Sequence, residues 1–279
     1  SNTALAVGPK IKYIRVRTYN QYTGKPIIVI LAKDLAGVYF PEKNKAIAIE
    51  DYKQGDKNIP YQVLDEWMGK KFEDISFEQL ISWIKREKEA FKVLCGDFVT
   101  TEDGTGIVHI APTFGADDFR IAMQYDIPAI LVTEKDGTVS PLVDRKGRFH
   151  NIDSLDSEFI RKYVDVDTYK PFAGRYVKNE YDENLTEQDP TIDIDIAVDL
   201  KKAGKAFKIE KHIHNYPHCW RTDKPVLYYP LDSWFIRSTA LKEKMIELNA
   251  TIKWKPEVTG TGRFGKWLEN LVDWNLSRA

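Results

Sequence analysis

Residues able to do chemistry are densest in the run Gly104-Thr105-Gly106-Ile107-Val108-His109-Ile110-Ala111-Pro112-Thr113-Phe114-Gly115-Ala116-Asp117-Asp118, where an imidazole and two carboxylates fall close together. The run reads as a strand closed by Pro112, a short loop, and a helix from near Gly115 in which Phe119, Ala122 and Met123 keep helical spacing until Pro128. Side chains alternate along a strand, so His109 shares a face with Ile107 near the strand's end. Asp117 and Asp118 fall in the first helical turn, where the helix dipole and free backbone N–H groups favour the ionised carboxylate. A permanent anion there suits an ammonium ligand. The same placement also stabilises a helix that binds nothing, and a lone histidine at a strand end is more often structural than functional.

No Ser-His-Asp or Cys-His nucleophile pattern is evident, so a covalent enzyme intermediate is not expected. His212, His214, His218 and Cys219 are metal-ligating types in a short span. The only other cysteine is the distant Cys95, so four thiolates cannot be assembled, the histidine spacing fits no standard closed site, and no metal is expected. Trp220, Trp234 and Tyr228 read as core packing, with stacking on RNA the less favoured alternative.

The elements that position these residues are mixed. Lys12 to Arg17 and Pro26 to Ala32 read as a β-hairpin around the polar Asn20 to Lys25, and a short strand is expected at Ala46 to Glu50. Ser76 and Gln79 form a capping-box pattern ahead of Phe77, Leu80, Ile81, Ile84 and Phe91, which predicts a helix flanking the fold and not a site. Strands are expected at Lys92 to Thr100, Gly106 to Ala111 and Ala129 to Thr133, and later at Phe207 to Ile213 and Val226 to Tyr229. Ile192, Ile196 and Leu200 mark a helix ended by Gly204, and Ala240 to Leu248 and Arg263 to Val272 mark two more. The segment from Glu134 to Phe172 is richer in Gly, Pro and Asp, which places a domain boundary near residue 175.

In 279 residues, 43% apolar content is ample for a buried core, and no apolar run approaches the roughly 20 residues of a membrane helix. Lys and Arg total 41 against 42 Asp and Glu, so the net charge of −1 offers no global attraction to nucleic acid, and any RNA contact must be local. Two distant cysteines suit a reduced, cytoplasmic protein.

Taken in order, Gly104 to His109, then Ala111-Pro112, then Phe114 to Asp118 resemble the signature of the editing insertion in the synthetases that charge tRNA with isoleucine, valine and leucine. His109 favours the isoleucine branch, because its relatives for valine and leucine usually carry Lys or Met there. Ser1 to Gly8, His214 to Arg221, Ser233-Trp234-Phe235, Arg263 to Leu268 and Asp273 to Arg278 resemble family segments too, so nearly the whole chain is covered. The wording from Cys219 to Pro225 and around Arg263 looks closer to the eukaryote-like branch. Some relatives carry a Cys-x-x-Cys zinc motif here, where this chain has Thr222 in the second place.

The resemblance implies an α+β fold: an editing β-barrel with peripheral helices over residues 1–175, then a mixed α/β segment over 176–279 that returns to an absent catalytic domain. It implies proofreading hydrolysis of valine misattached to isoleucine tRNA. The residue matching Asp118 then holds the α-ammonium, and the one matching His109 gates the side chain by size. Thr105, Gly106, Thr113, Phe114, Gly115 and Asp117 become further candidate substrate-binding positions, Thr105 and Thr113 for polar contacts with the terminal adenosine. One methylene is worth only about 1–3 kcal/mol of discrimination, a figure for which these synthetases are themselves the standard example, and a second, hydrolytic sieve corrects the error. Implied partners are the aminoacylated 3′ end of tRNA, its valine moiety and the remainder of the synthetase, whose catalytic domain uses ATP and magnesium; no cofactor is expected here.

Neither class I catalytic motif, His-x-Gly-His nor Lys-Met-Ser-Lys-Ser, occurs in the chain. The resemblance further implies that a threonine-rich segment contacting the adenosine precedes Ser1, so hydrolysis by these residues alone is expected to be weak. Two rivals stand beside this reading: editing for valine or leucine tRNA, which His109 opposes, and a non-catalytic RNA-binding module.

Overall fold

Alternation of β-branched and charged residues makes the first sheet. The computed structural model describes residues 2–85, 89–186, 188–211 and 215–277. Its first six strands are β1 (Ala4–Val7), β2 (Lys12–Tyr19), β3 (Pro26–Ala32), β4 (Gln62–Met68), β5 (Lys92–Cys95) and β6 (Ile107–Ile110). In β2, Ile14 and Val16 turn inward against Leu31, Phe40 and Tyr61, while Arg15 and Arg17 take the other face. β2 lies between β3 and β4 in an antiparallel sheet, and the expected hairpin is formed, with Tyr19 opposite Pro26. Asn20 organises its turn: the side-chain oxygen accepts the N–H groups of Tyr22 and Thr23.

β1 is the centre of a second sheet, parallel to β5 and antiparallel to β6. Both of its faces are covered. Ala4, Ala6, Leu94 and Ile110 pack on Ile121 and Ala122 of the helix Ala116–Gln124, and Val7 and Val93 pack with Tyr13, Ala32 and Phe72. A third, aromatic core surrounds Trp83, whose ring centroid lies 4.5 Å from Phe172 and 5.5 Å from Phe149; the hairpin β7 (Leu131–Thr133) and β8 (Val139–Pro141) feeds Val132 into it. Fully burying each such side chain stabilises the fold by roughly 1.5–3 kcal/mol.

The class is mixed α+β, as the sequence predicts, but the strands do not make the expected barrel. Among the described residues they form separate sheets, none closed on itself. Where β3 could meet β6, the Ala32 N–H instead donates to the carbonyl of Thr105, so a loop contact stands in place of a strand ladder. No helix of the described residues is long and apolar enough to cross a membrane.

Other expectations need correction too. Described residues between 76 and 91 are not helical: Ser76 bridges Lys92, Ile84 bridges Val164, and the Gln79 amide donates to the carbonyls of Ile81 and Ile84. Instead of a strand near residue 48, two 3-10 turns form, Glu42–Ala46 and Ile49–Asp51. Described residues in 207–213 and 226–229 are not strands. The later helices do form, as Ile192–Lys202, Lys242–Thr251 and Arg263–Glu269, the first ending at a left-handed Gly204.

Contacts divide the chain into Ser1–Tyr229 and Pro230–Ala279, not near 175. Ile192 is buried in the Trp83 cluster, Ile196 and Leu227 pack on it, and the Asn20 amide reaches the Ala206 carbonyl, so residues 176–229 belong to the first unit. In the second unit, strands β9 (Phe235–Ile236) and β10 (Trp274–Asn275) pair, and Trp254 packs on Phe264 while donating to Asn249. The predicted core tryptophans are on the surface: Trp220 is 84% and Trp234 82% exposed, and Tyr228 is 62% exposed. Trp220 sits in a tight turn, with the Arg221 guanidinium 4.6 Å from its ring centre.

Candidate functional site

Alternation along β6 sends Val108 and Ile110 towards the helix Ala116–Gln124 and Ile107 towards the Tyr13 cluster. His109, on the face of Ile107, is left exposed at the strand's end. Ala111, the first residue beyond the strand, carries the key contact: its N–H donates to Oδ2 of Asp118 at 2.8 Å. Asp118 is the third residue of its helix, which begins after Gly115 without a side-chain cap. Its carboxylate therefore turns back to the strand end, and strand, loop and helix are tied at one charged group. Gly115 is shaped to this arrangement, since a Cβ there would sit 3.0 Å from the Asp118 carboxyl carbon and 3.2 Å from each oxygen.

Asp118 and His109 line the same cleft, about 380 Å³ in volume, together with Ala111 and Phe114. Its remaining wall comes from far along the chain: Gln79, Ile81 and Trp83; Ile130, Leu142, Val143 and Phe149; and Tyr216, Leu227 and Tyr228. The cleft is a mostly apolar cavity with a few convergent polar groups, the usual form of a small-ligand site. Residues 216–229 reach it as a loop stapled across itself, with the Cys219 N–H on Lys224 and the Val226 N–H on Pro217. Tyr181 anchors that loop by donating to the Pro225 carbonyl, and burial pushes its hydroxyl up to about 12. Tyr229 packs edge-on against Phe114 at 6.5 Å, and burial, the largest cause, raises its hydroxyl also.

Of the sequence-predicted site residues, His109, Phe114 and Asp118 line the cleft, and Gly115 abuts the Asp118 carboxylate. Asp117 points elsewhere, exposed and paired with Arg120 at 3.0 Å. Thr105 and Gly106 belong to a buried joint. The Tyr13 hydroxyl donates to the Gly106 carbonyl at 2.6 Å, and a Cβ at Gly106, which sits at φ +71°, would come within 2.5 Å of the Ala32 Cβ. Thr113 is buried, and its Oγ1 has no partner among the described residues. Gln79, Trp83, Leu227 and Tyr228 were missed as site residues. Residues 79–84 read as a flanking helix, and nothing in the sequence shows where 227–228 will fold.

A second polar string lies beside the β7–β8 hairpin. Ser140 donates to Glu134 at 2.7 Å and lies 3.2 Å from Nε2 of the buried His150. The serine proton is directed to the carboxylate, so His150 does not take it as a general base, unlike the arrangement in a nucleophilic triad. Of the metal-type cluster, His212 and His214 lie outside the described residues, and His218 contacts the Tyr216 carbonyl. Among the described residues no group of three or more His, Cys, Asp or Glu could hold a metal ion.

A family model described as tRNA synthetases class I (I, L, M and V) matches residues 21–279, and the chain belongs to that family. Within it, similar curated relatives include isoleucine–tRNA ligases. The protein of Bacteroides fragilis is 60% identical over all of this chain, which spans 24% of that protein. The ligase of Porphyromonas gingivalis is 56% identical, with 25% of its length spanned, and that of Clostridium acetobutylicum 37%, with 21% spanned. The chain thus covers about a quarter of the length of these relatives. A solved structure, titled the crystal structure of GlLeuRS-CP1, aligns over 75% of this chain and 78% of its own with a TM-score of 0.37 and 18% identity.

Proposed function

We propose that the cleft around Asp118 and His109 hydrolyses valine from misacylated isoleucine tRNA, as the proofreading site of an isoleucine–tRNA ligase. The observation that carries the reading is the Asp118 carboxylate, held by the Ala111 N–H in the wall of a mostly apolar cleft that His109 also lines. A carboxylate forms a charge-assisted hydrogen bond with an α-ammonium, fixing the amino acid by its one invariant charge. The apolar wall receives an aliphatic side chain, and the imidazole limits its length. Asp118 is an anchor in this reading, not a general base, and the nucleophile is a positioned water helped by the ribose hydroxyl of the tRNA.

The partners are then the aminoacylated end of tRNA and the rest of the synthetase, with ATP and magnesium serving its catalytic domain. The relatives' much greater length agrees with this division of labour.

The test is Asp118→Ala in a full-length synthetase carrying these residues, with clearance of valyl-tRNA followed at limiting enzyme. Loss of clearance is expected, and clearance at the parental rate overturns the reading. His109→Ala should in turn admit correctly charged isoleucyl-tRNA to hydrolysis; sparing it refutes the size gate.

A further inference from the structure

We infer that Gln79 is a second acceptor for the α-ammonium group of the ester substrate, on the wall of the cleft that Asp118 also lines. This rests on the proposed editing reading and adds a residue to it. Gln79 lines the same cleft as Asp118 and His109. Its Nε2 donates to the Ile81 carbonyl at 2.9 Å and to the Ile84 carbonyl at 3.1 Å. Both amide hydrogens are thereby used, and two carbonyl oxygens at one end leave no ambiguity about which end is nitrogen. The Oε1 atom is therefore held in place as an acceptor. No group among the described residues donates to it.

An ammonium carries three donors. Oδ2 of Asp118 already takes the Ala111 N–H, so the carboxylate supplies the charge without meeting every N–H of the ligand. A fixed neutral amide oxygen supplies a further acceptor without a second negative charge, which would raise the cost of the empty site by repelling Asp118. The same neutrality unfits Gln79 as a base for the attacking water, since an amide oxygen does not take up a proton near neutral pH. Its backbone partners explain the rigidity. The segment is an irregular one whose carbonyls lack helical partners, and the side chain that satisfies them is one that lines the cleft.

The experiment compares Gln79→Leu with the parent in a full-length synthetase, on two esters of the same tRNA: valyl, and α-hydroxyisovaleryl, in which a hydroxyl replaces the ammonium. Gln79→Leu is expected to lower kcat/KM for the valyl ester about tenfold, chiefly through KM, with a much smaller loss on the hydroxy ester. Equal losses on both esters mean that Gln79 only shapes the loop, and an unchanged valyl rate means that it touches nothing; either result overturns the inference. The ratio between esters remains readable even if the variant is less stable. Asp118→Ala run alongside separates the two claims. If it clears valyl-tRNA at the parental rate, the editing reading itself fails, whereas a slow Asp118→Ala beside an unaffected Gln79→Leu removes Gln79 alone.

Discussion

If Asp118 is the ammonium anchor proposed above, Gly115→Ala should disable it without touching the substrate. The added Cβ would meet the Asp118 carboxyl carbon at 3.0 Å and both oxygens at 3.2 Å, closer than a comfortable van der Waals contact. The carboxylate has to give way by a few tenths of an ångström, but it is held at 2.8 Å by the Ala111 N–H. Any retreat stretches that bond out of the ordinary range of roughly 2.7–3.2 Å. A hydrogen bond to a charged group contributes about 1.5–3 kcal/mol. If the displaced carboxylate loses an equal part of its grip on the ammonium, kcat/KM for valyl-tRNA hydrolysis falls on the order of tenfold to a hundredfold. Replacing Gly by Ala at a helix N-cap costs the fold at most about 1 kcal/mol, so the variant should remain folded. The assay is deacylation of valyl-tRNA by the full-length synthetase, with a urea unfolding curve to confirm the fold. Activity within about twofold of the parent refutes the reasoning, because the anchor would then tolerate displacement.

Tyr13→Phe should destabilise the first unit by about 1–3 kcal/mol in urea, because it strands the buried Gly8 N–H and Gly106 carbonyl that the hydroxyl now joins. An unchanged unfolding midpoint would show that neither group depends on the hydroxyl. Glu73 is held below the ordinary carboxylate range chiefly by Lys70, with the Tyr125 hydroxyl also donating. A depressed folded value means that its contribution is complete above the unfolded value of about 4.3 and is lost as pH falls through the lower folded value. Glu73→Gln should therefore flatten the decline of stability in that acid range, as read from urea midpoints at stepped pH. Parallel acid profiles for the two proteins would contradict it.

Local pattern was enough for the elements that carry their own instructions. Alternation in Lys12 to Arg17 and a turn-forming Asn20 specify the hairpin, and Gly115, two first-turn aspartates and Pro128 bracket the helix of Asp118. It failed where a different physical demand won. Phe77, Leu80, Ile81 and Ile84 keep helical spacing, yet Ile84 is buried against the Trp83 cluster, and Gln79 spends its amide on loop carbonyls. Helical periodicity and an irregular segment packed by distant residues leave the same trace in one dimension. The domain boundary was misplaced for a related reason. Gly- and Pro-rich composition marks chain direction changes, but only packing shows that residues 176–229 fold back onto the first unit.

That return explains how a cleft can be selective when its signature occupies one short run. In the proposed reading Asp118 and His109 supply charge and shape, while Ile130, Val143, Phe149 and Leu227, which line the same cleft, limit how much aliphatic volume it holds. These residues come from separate stretches, and the aromatic core of Trp83, Phe149 and Phe172 holds their walls at a set distance. Close packing makes that distance stiff, because shifting one wall costs contacts throughout the core. A gate between valine and isoleucine must reject a single methylene, so the gating side chain can act only if the rest of the wall does not yield. Specificity in this reading is therefore a property of the whole first unit, and the histidine that identifies it in the sequence is only the residue on which that stiffness is brought to bear.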